Sequence, residues 1–415
     1  MHPFTAVFLV ALALATSTRL WLSMRHVRYV TAHRNAVPAE FLGRISLEAH
    51  RKAADYTIAK TRVGALEALV SAAVLLGFTL GGGLQLVAES WARFFDIGGY
   101  AHGIALIATI VVISSLVELP FSLYRTFGIE ARFGFNRMNL KLFMLDLAKA
   151  AAVGALLGLP FVFCILWLMD KMGQFWWLYV WLAWVTFNLV VLIVYPIFIA
   201  PLFNKFSPLE DGDLRSRIEA LLAKCGFRSR GLFVMDNSKR SSHGNAYFTG
   251  LGAAKRIVLF DTLISRLAPR EVEAVLAHEL GHFSRHHVWK RMVLLFGASL
   301  ALLWILGWLI EQEWFYNALG VRSPGTAVAL VLFAMVTPLF AFFAQPLASL
   351  YSRAHEFEAD AYAARHADAG SLAQALVKLY RDNASTLTPD PLHSAFYDSH
   401  PPAVLRIARL EAQSR

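Results

Sequence analysis

Charge is scarce in this chain. Asp, Glu, Lys and Arg make up 16% of its 415 residues, against about 25% in soluble domains. With 57% hydrophobic residues and a mean hydropathy of +0.50, that scarcity excludes a string of ordinary soluble domains and marks a membrane protein. Cysteine is scarcer still. Cys164 lies inside an apolar run and Cys225 in a helical pattern, which excludes a disulfide framework or a thiolate metal site, so any metal must use other ligands. Acids are outnumbered, 29 against 39 bases. In a membrane protein this excess reports cytoplasmic loops facing anionic lipid; no base-reading motif is present, which excludes a nucleic-acid partner. Internal repeats of solenoid length and low-complexity tracts are also lacking. No Lys or Arg precedes the first apolar stretch, Phe4 to Met24, whose uncharged run leads instead to Arg19 and Arg25. That polarity predicts a retained anchor, despite Ala-x-Ala spacings near Ala13 and Ala15.

Apolar runs long enough to cross a bilayer at about 1.5 Å per residue lie near 4–24, 64–88, 101–124, 148–170, 175–199, 292–310 and 326–351. The fold class is therefore a predominantly α membrane protein with seven transmembrane helices and its termini on opposite sides. Loop 25–63 carries eight Lys/Arg against three acids, and 125–149 carries five against two, whereas 89–100, 171–174 and 311–325 hold only Arg93, Lys171 and Arg322. This alternation predicts an external N-terminus and places 25–63, 125–147, 200–291 and 352–415 in the cytoplasm. Four regions follow: membrane segments 1–199, a polar block 200–291, two further spans in 292–351, and a polar C-terminal segment 352–415. Glu67, Glu118 and Asn188 lie within or beside spans, where they either pair structurally or line a polar internal cavity.

In the polar block, Leu214, Ile218, Leu221, Leu222 and Cys225 follow helical spacing with Gly226 placed to stop the helix. Strand-like runs follow at Gly231–Asp236, Ala246–Thr249 and Arg256–Phe260, the last two joined by the turn residues Gly250-Leu251-Gly252. A helix then opens at Pro269 with Glu271 in its first turn. It carries His278-Glu279-Leu280-Gly281-His282. Histidines four apart share a helix face, so both can bind one Zn²⁺ while Glu279 addresses a water on the metal as general base. The flanks Val275-Leu276-Ala277 and Leu280-Gly281 are apolar, and polar groups on such a helix are costly unless a metal pairs them.

A catalytic zinc needs a third protein ligand and an open fourth position. A histidine at 288 preceded by a glycine at 285 would provide one, but the chain has Val288 and Arg285. The next span is uncharged from Met292 to Ile310, and Glu311 and Glu313 emerge on its far side. The ligand must return across the membrane. Directly after the seventh span comes Ser352-Arg353-Ala354-His355-Glu356-Phe357-Glu358-Ala359-Asp360. In a helix Glu356 and Asp360 share a face, so Glu356 can bind zinc while Asp360 orients a ligand or assists proton transfer, with Glu358 pointing elsewhere. His355 is the best substitute ligand; His286 and His287 read as interfacial polar residues.

These segments resemble the CAAX prenyl endopeptidases, seven-span zinc peptidases of the membrane. The match is carried by Phe127-Gly128-Ile129-Glu130 with Gly134-Phe135-Asn136, Ser241-Ser242-His243-Gly244-Asn245-Ala246-Tyr247-Phe248, His278–His282, Ser352–Asp360 and Ser399-His400-Pro401. The resemblance implies a large chamber among the spans, with one Zn²⁺ at its cytoplasmic end and a peptidase region there containing a small β-sheet. It implies that Asn245 lies on an edge strand that pairs with substrate backbone, and that His400 and Arg406 stabilise the oxyanion of the scissile carbonyl. The expected partners are the lipid bilayer and peptide or protein substrates. An Ala- and Arg-rich composition, and a C-terminal Glu411-Ala412-Gln413-Ser414-Arg415 that is no ER-retrieval signal, point to a bacterial inner membrane. There the expected substrates are aberrant or membrane-associated polypeptides; the family's name implies prenylated C-termini, at an endoplasmic reticulum membrane in a eukaryote. Smaller four-span metalloproteases of the same clan would leave the first spans unexplained. A seven-span transporter or receptor would leave His278, Glu279, His282 and Glu356 unexplained.

Overall fold

The computed structural model describes residues 2–227, 229, 231–249 and 256–413. Within them, seven helical segments have the length and apolarity of membrane spans: Pro3–His33, Leu47–Phe78, Tyr100–Glu130, Leu140–Lys171, Gly173–Phe203, His287–Leu309 and Thr326–His366. Each expected span is present, but the boundaries move for physical reasons. The second helix begins at Leu47 and not near 64, capped by Ser46 Oγ accepting from Ala49 N. Hydropathy marks only the apolar stretch, whereas a capped run of helix formers continues into polar surroundings. The same helix stops at Phe78, short of 88, because Gly81-Gly82-Gly83 interrupt it. Gly82 takes φ +74°, and a separate short helix Gly83–Trp91 follows.

The seventh span is the longest. It runs Thr326–Ala341, tightens through Phe342–Ala344, and resumes as Gln345–His366. Pro346 has no N–H to donate to the Phe342 carbonyl, which accepts from Gln345 N instead. One rod thereby carries the chain from the membrane core into the polar region, and Glu356 rides on it.

The spans enclose a chamber. Adjoining cavities of about 760 and 300 Å³ share Arg19, Ala68, Ser71, Glu118 and Pro338, and a further one of about 490 Å³ meets the larger at Lys60, Thr61 and His393. Glu67 and Glu118 line this interior and share one cation. Arg125 Nη1 stands 2.7 Å from Glu67, and Nη2 contacts Glu118. They are thus both paired and cavity-lining. Asn188 has the plainer role, donating to the Trp184 carbonyl one turn back at 2.8 Å.

The polar block folds as a four-stranded sheet against helices. Its strands are β1 (Phe206–Pro208), β2 (Leu232–Met235), β3 (Ala246–Thr249) and β4 (Arg256–Phe260), in the order β1-β2-β4-β3. Three were expected; β1 is new, a three-residue strand too short to show a period. β2 and β4 run parallel, while β3 pairs antiparallel with β4 from Ala246↔Leu259 to Thr249↔Arg256, leaving β3 at the sheet edge. The turn Gly250-Leu251-Gly252 lies outside the described residues. The helix Asp213–Lys224 ends as expected, with Gly226 at φ +63°. Ile218, Leu221, Ile257, Leu259, Val272, Leu276 and Leu280 form its shared apolar core with the sheet and the motif helix.

Candidate metal centre

The motif helix spans Pro269–Ser284. Glu271 secures its start by accepting from Ala268 N at 2.7 Å, and Lys378 Nζ pairs with the same carboxylate at 2.7 Å. The helix lies against Gln345–His366, and Gly281 sets the separation. A Cβ there would stand 2.9 Å from Ala359 Cα and 3.0 Å from Tyr362 Cβ. Gly281→Ala is therefore expected to cost about 1–3 kcal/mol through overpacking and to loosen the site that spans the two helices. Thermal unfolding and metal content of the purified variant check this; parental values for both would show that the helices separate freely.

At that crossing the ligand candidates converge. His278 Nε2 and His282 Nε2 are 3.3 Å apart; His278 Nε2 lies 3.4 Å from Glu356 Oε2, and His282 Nε2 lies 3.4 Å from the other oxygen, Oε1. With metal–ligand arms of about 2.0–2.1 Å, a tetrahedral zinc site has edges of about 3.3–3.4 Å. The residues fit such an ion. Glu356 Oε2 is buried and makes no hydrogen bond among the described residues, a cost that a cation would remove. Within the described residues, His278, His282 and Glu356 are the one cluster of three such side chains arranged to hold a metal. His355 stays outside it, its ring stacked on His287 at 3.9 Å.

Behind His278 stands Asp360. Its Oδ1 is 2.8 Å from His278 Nδ1, and Arg406 grips both its oxygens at 2.8 and 2.6 Å. Burial acts against a charge on His278, but Asp360 and Glu356 overcome it and raise the imidazole to about 9. Asp360 fixes the orientation of the ring through Nδ1. Burial likewise opposes charge on Arg406, and Asp360 more than compensates, holding it above its ordinary value. Arg406 Nη1 is also 3.7 Å from Glu356 Oε2. Glu279, half-buried, has its carboxyl pushed upward by burial, with His278 and His282 acting the other way. His400 lies at the open side. Its side chain is 60% exposed, Nε2 is 3.5 Å from Glu356 Oε2, and Nδ1 pairs with Ser399 Oγ at 3.0 Å.

Asn245 is exposed immediately before β3, on the edge that is unpaired among the described residues, its carbonyl accepting from Phe260 N at 3.0 Å. The loop leading into it is pinned by residues to which sequence reasoning assigned no role. Tyr56 donates to Glu130, whose other oxygen is 3.2 Å from His243 Nε2, and Gly244 N donates to Asn383 Oδ1 at 3.1 Å. Asn136 bridges to Ser241 across the same junction. Glu130 and His243 are 113 positions apart, and nothing local in the chain pairs them. His287, expected to be an interfacial polar residue, is buried instead, with its Nδ1 3.0 Å from His282 Nδ1.

Comparison with known proteins agrees with this architecture. Residues 26–205 match the model of the CAAX prenyl protease N-terminal region with five membrane helices, and residues 208–414 match that of peptidase family M48. The chain belongs to peptidase family M48. It is 32% identical over 432 residues to a CAAX prenyl protease 1 homolog of Caenorhabditis elegans, covering 96% of each chain. It is 39% identical over 322 residues to an Arabidopsis thaliana homolog, covering 76% of this chain and 74% of the relative. The crystal structure of Ste24p from S. mikatae superposes with a TM-score of 0.92 at 30% identity, covering 99% of both chains. The chain is thus an integral-membrane, multi-pass metalloendopeptidase of the M48 family, acting on peptide bonds and requiring a metal. Neither a four-span protease nor a transporter accounts for these matches.

Proposed function

We propose that this chain is a zinc endopeptidase with its site at the cytoplasmic face, cleaving prenylated C-terminal peptides as well as unmodified ones. The convergence of His278, His282 and Glu356, with a buried carboxylate oxygen that makes no hydrogen bond among the described residues, supports the metal reading above all. Zinc held there supplies a Lewis acid that polarises a carbonyl and lowers the pKa of water. Glu279 takes the proton of the attacking water and returns it to the leaving amine. Asp360, anchored by Arg406, keeps His278 protonated on Nδ1 so that Nε2 faces the ion. Ser399 donates to His400 Nδ1, leaving Nε2–H to stabilise the oxyanion, while Arg406 adds positive charge behind it. Substrate backbone adds to the free edge of β3 from Asn245 onward.

The substrate class draws on the relatives' names, CAAX prenyl protease 1, and orientation draws on the basic loops. By the same reading, 200–291 and 352–415 form the two catalytic segments, with 1–199 and 292–351 the membrane regions between which they are assembled. The test is metal content together with cleavage of a farnesylated and an unmodified peptide by protein purified in detergent. About one zinc per chain with faster cleavage of the farnesylated peptide is expected. Cleavage of the unmodified peptide alone would replace prenylated substrates with aberrant or membrane-associated polypeptides, and absence of zinc would remove zinc as the metal. For orientation, a cysteine introduced near Arg51 should be shielded from an impermeant thiol reagent in intact cells, while one near Asn317 reacts. Reversed labelling would put the site on the exterior.

A further inference from the structure

We propose that His287 and Glu358 are positioning residues that hold the second histidine ligand, forming a carboxylate–imidazole chain opposite the one Asp360 makes to His278. This rests on the reading of His282 as a zinc ligand. His282 Nδ1 lies 3.0 Å from His287 Nδ1, and His287 Nε2 lies 3.0 Å from Glu358 Oε2. Proton bookkeeping makes the chain directional. With Nε2 of His282 turned to the metal, its Nδ1 carries the hydrogen and must find an acceptor. His287 Nδ1 is that acceptor, so its own hydrogen sits on Nε2 and is donated to Glu358. Every nitrogen and the receiving carboxylate oxygen are satisfied in one arrangement.

The backbone is shaped to allow it. On an uninterrupted helix, residues five apart diverge by about 140°, so His287 would face away from His282. The break falls between them. His286 adopts φ +56°, a left-handed conformation uncommon outside glycine, and the sixth span starts anew at His287. The turn folds the His287 ring back under the motif helix, where it is 1% exposed and stacked on His355 at 3.9 Å. Stacking fixes the plane of the ring, and the hydrogen bond fixes its edge. The two chains are unequal: the Asp360 side chain is 7% exposed, whereas that of Glu358 is 49% exposed. Solvent screens Glu358, so His287 carries more of the effect than the carboxylate behind it.

The experiment measures zinc release from detergent-purified full-length protein into excess chelator, alongside thermal unfolding. His287→Leu approximates the volume but accepts nothing; His287→Asn places an amide oxygen near the position of Nδ1. His287→Leu is expected to release zinc about 10–100-fold faster, in the range of lost outer contacts to metal ligands. His287→Asn should recover most of that difference, and Glu358→Gln should change release only a few-fold. Release from folded His287→Leu at the parental rate would overturn the proposal. So would equal leakage from His287→Asn and His287→Leu, since packing alone would then be at work. If the parent itself holds no zinc, the metal reading fails first and takes this proposal with it; a zinc-replete parent with unchanged variants sinks only this one.

Discussion

Glu279→Gln is expected to abolish nearly all turnover while leaving the metal in place. The amide preserves the shape of the side chain and both flanking histidines, so the ligand cluster of His278, His282 and Glu356 is untouched. It cannot take a proton from the attacking water. General-base catalysis contributes about 10²–10⁴-fold in rate, and here the same group also returns the proton to the leaving amine, so a loss at or beyond the upper end is expected. Burial already pushes the Glu279 carboxyl upward, toward the range in which a carboxylate is an effective base. Single-turnover cleavage and zinc content on the same preparation separate the roles. Parallel loss of metal and activity would make Glu279 a ligand.

Glu356→Ala is expected to lose zinc on dialysis against a weak chelator, and activity with it. The change removes the one anionic ligand and also strips Arg406 and the histidines of a buried counter-charge. Breaking such buried pairs costs about 3–5 kcal/mol, so thermal stability should fall as well. Asp360→Asn should behave differently, retaining most zinc and losing activity, because the amide oxygen still accepts from His278 Nδ1 while the charge opposite Arg406 is gone. Glu358→Ala should not strip the site, although through His287 it is expected to loosen it slightly. Full zinc occupancy in Glu356→Ala, together with loss on replacing His355, would show that the third ligand had been misassigned.

Much of the framework was legible along the chain because lipid imposes a local rule. Every spanning segment must satisfy its own backbone hydrogen bonds and show an apolar surface, so each of the seven spans announces itself within its own residues. Span ends were less legible. The extension of the second helix from 64 back to Leu47, and its stop at Phe78, depend on a cap and a glycine run that a hydropathy window averages away. The short β1 carried no pattern and owes its strand form to pairing with β2.

The site divides in the same way. That His278 and His282 share a face follows from helical spacing alone, and so does the shared face of Glu356 and Asp360. Composition, two lone cysteines, the loop charges and the placement of these motifs beside spans were enough to make the chain a seven-span membrane protein with a metal-binding helix. Only the tertiary structure decided how the pieces meet. Gly281 admits Ala359 at backbone distance, which brings a carboxylate 74 positions beyond His282 to within 3.4 Å of it. Arg406 proves to be occupied by Asp360, and the left-handed turn at His286 swings His287 onto His282 where helical periodicity points it away. Periodicity describes the faces of one helix; contacts between helices depend on the space each side chain leaves for another, and that is settled when the chain packs.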